Sequence, residues 1–222
     1  SRGVVRIAGR GRALPDEVAV MWQRRQRREV HAVLLAAGRS TRFGSAKLVA
    51  PIDGTAVIAH ALGALRASAV ASITVVLGHA AEMVRAAAGE AERDARVRFV
   101  DNPRFEQGLS TSIAAGVAAA PDGDGLLLAL GDMPFITPDT IARVLEAYAS
   151  TPFDIVAPRH NGRRGHPVVL SRRFANGLSH LEGDFGAAPL LAAHAADLCL
   201  IDVEDPGVHR DVDVPSALEE VV

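Results

Sequence analysis

From Glu29 onward, short apolar runs that lack polar alternation take turns with longer helix-like stretches, and few folds accommodate such a pattern. "VHAVLLA" from Val30, "SITVVLG" from Ser72, "VRFVDN" from Val97 and "GLLLALGD" from Gly125 read as strands. "FDIVAP", "HPVVLS" and "LCLIDV" read as later ones. Between them, "TAVIAHALGALRAS" reads as a helix with Thr55 as its N-cap, and "AAEMVRAAAG" as one closed by Gly89. "STSIAAGVAAA", "PDTIARVLEAYAS" and two short segments before "LCLIDV" complete the helical set. A strand apolar on both faces needs cover on both, which argues for a mostly parallel sheet between helical layers. Ligands of such sheets bind beyond the carboxyl ends of the strands, at the point where strand order reverses. Functional residues are therefore expected directly after strands.

The chain has 222 residues, enough for one well-buried core. Residues 1–28 form a basic head with eight arginines against Asp16 and Glu17. The body, 29–222, is left with 16 cations against 24 acids, and that excess of acid disfavours nucleic acid as a partner. The head reads as an upstream extension; an arm for an acidic partner and a targeting segment are the other readings. No apolar run is long enough to span a membrane, and no secretory pattern is present. The single cysteine, Cys199, excludes an internal disulfide, reads as a buried small hydrophobe and fits a cytoplasmic location.

The loop after the first strand, "VLLAAGRSTRFGSAKL", holds the only lysine of the chain, Lys47. It matches neither the dinucleotide fingerprint nor the P-loop, in which Lys follows Gly directly. Its small residues would let backbone N–H groups approach an anion, with Arg39, Arg42 and Lys47 supplying positive charge. The alternative is a surface turn with incidental cations. Among 23 arginines, one lysine suggests a compact, mobile point charge, and phosphates in a reaction are a fitting client.

Asp132 follows the most apolar strand directly. It is either a turn or cap residue or a magnesium ligand; Thr137, standing before Pro138, is the better cap for the next helix. In "HRDVDVPSAL", Asp211 and Asp213 alternate and so point the same way, with one of them read as a cap. His79 reads as a cap, and His60, His180 and His194 as surface or packing residues. No zinc spacing and no G-x-S-x-G elbow is present.

The ordered set "LLAAGRSTRFGSAKL", "QGLSTSI", "LALGDMPF", "GHPVVL", "GDFGAAPLL" and "DVDVPSAL" resembles the molybdenum cofactor nucleotidylyltransferases. The likeness runs from about Val30 to Leu218. The resemblance implies an α/β, Rossmann-like three-layer sandwich with a mostly parallel mixed sheet. It also implies a nucleotide site at Leu35, Ala36, Ala37, Gly38, Arg39, Arg42 and Lys47, joined by Gly108, Ser110, Thr111 and Ser112. Arg42, Lys47 and Asp132 would serve catalysis, Asp132 and Asp213 (or Asp211) would hold Mg2+, and Gly165, His166 and Asp184 would face the acceptor.

The implied reaction joins CTP, or GTP, to the phosphate of molybdopterin, for delivery to a client molybdenum oxidoreductase. "LAAG", "GHPVVL" and "GDFGA" are similar to the cytidylyl branch, and "GDMPF" to the guanylyl branch. Ala188 stands where cytidylyl relatives usually carry arginine, which leaves the acceptor open. A sugar phosphate acceptor and a cofactor-binding chaperone without turnover are the competing readings.

Overall fold

The computed structural model describes residues 28–38 and 47–212. Strand β1 (Val30–Ala36) is buried at every position, which accounts for its unbroken apolar run. Beyond it come β2 (Pro51–Ile52), β3 (Thr55–Ala56), α1 (Val57–Arg66), β4 (Ser72–Leu77), α2 (Ala81–Ala87) and β5 (Val97–Asp101). Then follow α3 (Leu109–Ala119), β6 (Gly125–Leu130), α4 (Pro138–Ser150), β7 (Ile155–His160), β8 (Arg163–Arg164) and β9 (Val168–Ser171). Helices α5 (Ala175–Ser179) and α6 (Ala188–Ala193) precede β10 (Leu198–Asp202).

The main sheet runs β10-β7-β9-β6-β1-β4-β5, with β8 beside β7. The pairs β1–β4, β1–β6, β4–β5 and β7–β10 are parallel, whereas β9 is antiparallel to both β6 and β7. It is the mixed, mostly parallel sheet that the sequence led us to expect. Ala32, Leu34 and Leu127 face one core with Ile58, Leu62, Val144 and Tyr148 of α1 and α4. Val33, Leu126 and Leu128 face a second core with Ile113 and Val117 of α3 and Leu191 of α6. Each such Leu or Val side chain, fully buried, stabilises the fold by roughly 1.5–3 kcal/mol before chain entropy is subtracted. From β1 the chain moves outward through β4 and β5, then returns to β6 on the other flank of β1. The strand order therefore reverses between β1 and β6.

Two local expectations are corrected. Thr55 does not cap α1: it lies in β3, paired with Ile52, and the N-cap is Ala56, which makes no side-chain capping bond. The cause is Asp53-Gly54, both at positive φ (49° and 78°), which turns the chain into a two-residue hairpin before the helix. His79 does not cap α2 either, since the N-cap is Ala80 in a left-handed conformation, without a side-chain bond. Thr137 does cap α4, its hydroxyl accepting from the Thr140 amide at 3.3 Å. Arg28, last in the basic head, lies over the Tyr148 ring at 4.3 Å and donates to the Tyr148 carbonyl. His60 bonds the Ile52 carbonyl, His180 that of Asn176, and His194 meets the Phe174 ring edge-on. Cys199 is half-buried, and burial pushes its thiol pKa up.

Candidate active site

The carboxyl ends of β1 and β6 meet at the reversal point. Leu35 is in register with Leu130, and the Gly131 amide donates to the Leu35 carbonyl at 2.9 Å. A side chain at Gly131 would stand 3.1 Å from that same carbonyl and from Ile58, so a glycine lets β6 turn tightly across the end of β1. The turn delivers Asp132 over the sheet edge. There its Oδ2 accepts from Lys47 Nζ at 2.6 Å, the two side chains being 23% and 11% exposed. A lysine and an aspartate 85 residues apart thus form a half-buried ion pair where a ligand of this fold would dock.

Ala36 and Ala37 are buried beside this pair and Gly38 is exposed, at the end of β1. Arg39 and Arg42 lie outside the described residues. The Val212 amide donates to the Asp132 carbonyl at 2.9 Å, which draws the C-terminal acidic segment to the same edge. Asp211 is exposed there, and Asp213 lies outside the described residues.

The "QGLSTSI" segment opens α3. Gly108, at φ 114°, adopts a backbone that other residues avoid, and a side chain there would meet the Gly183 carbonyl at 2.6 Å. Ser110 and Ser112 are buried. Asn102 Nδ2 donates to the Thr111 and Ser112 hydroxyls at 2.9 and 3.1 Å, while Thr111 Oγ1 lies 2.9 Å from both the Gly108 and Arg104 carbonyls. These hydroxyls build the start of α3. Asp184 caps it, since its Oδ1 accepts from the Leu109 amide at 2.8 Å and the Gly183 carbonyl accepts from Ser110.

Gly165 and His166 stand before β9, joined to Pro167 by a cis peptide. A side chain at Gly165 would meet Val208 at 2.6 Å, and the His166 amide donates to the Val208 carbonyl. The Nδ1 atom of His166 is buried without a hydrogen-bond partner. Burial above all, helped by the charge of Arg164, pushes the imidazole pKa down to about 4 against the pull of Asp132. His166 is therefore neutral at pH 7. Beside it an apolar cavity of about 110 Å³ lies between the sheet, α3 and α6.

Two contributors were not anticipated from sequence. Asp205 is 9% exposed and anchors the start of α4 and the loop after β10. Asn102 organises the start of α3. "EDPG" and "DNP" around them are turn signals, and only the fold shows what those turns hold.

A divalent ion is implied for this fold. Among the described residues no three His, Cys, Asp or Glu side chains converge to hold one unaided. Asp132 at an open edge beside Lys47 has the donor chemistry of a site completed by phosphate oxygens and water, as magnesium prefers. The residues present fit that kind of site.

A cation–carboxylate pair at the reversal point of a three-layer α/β sheet suits a phosphate-bearing ligand held with a divalent ion. The family described as the MobA-like NTP transferase domain matches residues 32–198, and the chain belongs to that family and is a nucleotidyltransferase. It is 30% identical over 191 residues to the nicotine blue oxidoreductase of Paenarthrobacter nicotinovorans, covering 83% of this chain and 92% of that protein. It is 35% identical over 146 residues, 65% of this chain, to the bifunctional protein GlmU of Halorhodospira halophila, and the match spans 29% of GlmU. The crystal structure of Rv0371c from Mycobacterium tuberculosis H37Rv superposes with a TM-score of 0.74 at 30% identity, covering 87% of this chain and 97% of that one. A manganese complex of Rv0371c superposes with a TM-score of 0.71 at 28% identity and the same coverage.

Proposed function

We propose that the protein transfers the nucleoside monophosphate of CTP, in preference to GTP, to the terminal phosphate of molybdopterin, with release of pyrophosphate. The observation that carries this reading is the Lys47–Asp132 pair at the edge where β1 and β6 diverge. An oxygen of the acceptor phosphate attacks the α-phosphorus in line, and the bond to the oxygen bridging the α and β phosphorus breaks. The electron pair leaves with pyrophosphate, and no covalent enzyme intermediate is needed. Lys47 neutralises charge that builds on the phosphate oxygens, with Arg42 as a second cation. Asp132 holds a divalent ion, Mg2+ in our reading, with Asp213 or Asp211 as its companion; when bound, the ion draws charge off the phosphates. The manganese complex of the similar Rv0371c supports a divalent ion here.

Ala36, Ala37 and Gly38 border the base, and the half-buried Gly108 borders the ribose. The choice of CTP rests on "LAAG", "GHPVVL" and "GDFGA". Gly165 and His166 face the acceptor, and Asp184 shapes that side by fixing the start of α3. The product would pass to a client molybdenum oxidoreductase in the cytoplasm. No described helix is long and apolar enough to cross a membrane. A second reading, with a sugar phosphate as acceptor, draws on the similarity to part of GlmU. A chaperone without turnover has no need of a lysine held on a metal-type carboxylate.

The test is pyrophosphate release with molybdopterin and Mg2+, with CTP and GTP assayed in parallel. Release with CTP alone is expected. Release with GTP alone would make "GDMPF" the better guide to the base. Nucleotide binding without release would refute molybdopterin as the acceptor, and neither binding nor release would refute the enzyme reading.

A further inference from the structure

The apolar walls of the cavity beside His166 are ill suited to a triphosphate. Leu35, Leu128 and Leu130 from the sheet, Ile113 from α3 and Leu191 from α6 form its walls. Among the described residues that line it, only Arg164 and His166 carry polar side chains. Phe185, 76% exposed, stands at its mouth as one of the few large hydrophobic side chains left in solvent. Such a cavity disfavours charge, because an ion placed there would lose its water without gaining a partner. Its volume, about 110 Å³, is of the order of the roughly 150 Å³ apolar cavities that take up benzene. A fused ring system with many polar edges could not enter whole, and at most one of its rings would fit between these walls. One polar atom would be welcome, since His166 Nδ1 is buried and unpartnered.

We propose that this cavity selects the acceptor by taking in a single uncharged ring, whose phosphate remains outside near Arg164 and Lys47. One hydrogen-bonding atom of the ring meets His166 Nδ1, and Phe185 covers the exposed ring face. The inference rests on the nucleotidyl-transfer reading for the direction of the phosphate, and on the cavity alone for the ring. It asks of any acceptor, molybdopterin included, a ring face free of charged substituents.

Binding of phenyl phosphate and of inorganic phosphate to the full chain, each with CTP and Mg2+ titrated separately, tests the proposal. Phenyl phosphate is expected to bind about tenfold tighter than inorganic phosphate, or more. Ala188→Phe, at the exposed first position of α6 on the cavity rim, is expected to abolish that advantage while CTP affinity is kept. The retained CTP affinity also reports that the variant is folded. Ala187→Leu, on the same rim, is expected to behave alike. Equal affinity for the two phosphates, or an advantage that survives both substitutions, would overturn the proposal. Ring preference without any CTP binding would support the cavity and overturn the nucleotidyl-transfer reading instead.

Discussion

Replacing Asp205 by alanine should unfold more than a loop. Its Oδ2 accepts from the Thr137 amide at 3.0 Å, the Thr137 hydroxyl at 2.9 Å and the Thr140 hydroxyl at 2.6 Å, and its Oδ1 from the Gly207 amide at 2.8 Å. Hydrogen bonds to a charged acceptor contribute about 1.5–3 kcal/mol each, but four do not add, because water enters the vacated space. The loss should be about 3 kcal/mol, above the roughly 0.5–2 kcal/mol of a simple helix cap. Asp205→Asn, which keeps one good acceptor, should lose about half as much. Equilibrium urea unfolding compares the three chains. A loss under about 1 kcal/mol for Asp205→Ala would refute the anchoring role.

The pH dependence of that stability has a definite sign. Burial pushes the Asp205 carboxyl pKa up, but hydrogen bonds from the Thr140 hydroxyl, from Thr137 and from Gly207 outweigh it and hold the pKa below the usual range. The folded chain therefore stays deprotonated to lower pH than the unfolded one. The stabilisation is complete above the unfolded value of about 3.9 and is lost as pH falls through the folded value. The difference in stability between the natural chain and Asp205→Ala should narrow over that acid window. The site should feel the substitution as well, since the segment after Asp205 gives Val208 to His166 and Val212 to Asp132.

Three further outcomes are expected. Lys47→Ala should slow turnover on the order of 10²-fold or more with a smaller effect on nucleotide binding, and near-normal turnover would remove Lys47 from the chemistry. Gly108→Ala, at φ 114° and against the Gly183 carbonyl, should cost about 1–3 kcal/mol of stability, read by thermal or urea unfolding. Chelation with EDTA should stop pyrophosphate release, with recovery on adding Mg2+ or Mn2+, while far-ultraviolet circular dichroism stays unchanged because the two cores need no ion.

The sheet was legible because β1, β4 and β6 are apolar on both faces, a pattern that has few other uses. Asp132 and Lys47 were legible for a different reason: one stands at the end of such a strand, the other is the sole lysine. A meeting of carboxylate and lysine at one sheet edge was expected, but the direct ion pair between these two was not. It depends on a parallel pairing between β1 and β6, and residue type says nothing about which strands become neighbours. The hairpin before α1 was missed although "DG" is a strong turn signal, because Thr55 also suits an N-cap and local sequence does not rank the two. The hydroxyls of "STS" were expected to line the nucleotide pocket; Ser110 and Ser112 are buried, and Asn102 on another segment holds the hydroxyls of Thr111 and Ser112. Asp205 was hidden in the same way, since it holds the cap of a helix distant in sequence, and for Asp184, expected to face the acceptor, the capping of α3 came only with the fold.

The pairing of Lys47 with Asp132 also bears on how substrate must arrive. Both side chains are largely sheltered, so a charge added beside either one alone is poorly screened by solvent. A triphosphate alone would satisfy Lys47 and leave Asp132 facing the added negative charge. A divalent ion alone would satisfy Asp132 and leave Lys47 facing a second cation. Only the two together exchange one neutral pair for two. CTP without a divalent ion should therefore bind about tenfold more weakly than CTP with it, and the gap should shrink in Asp132→Asn, where the repelling carboxylate is gone. Equal binding of CTP with and without the ion would mean that Lys47 and Asp132 stay together when the nucleotide binds, and that the nucleotide phosphates lie elsewhere.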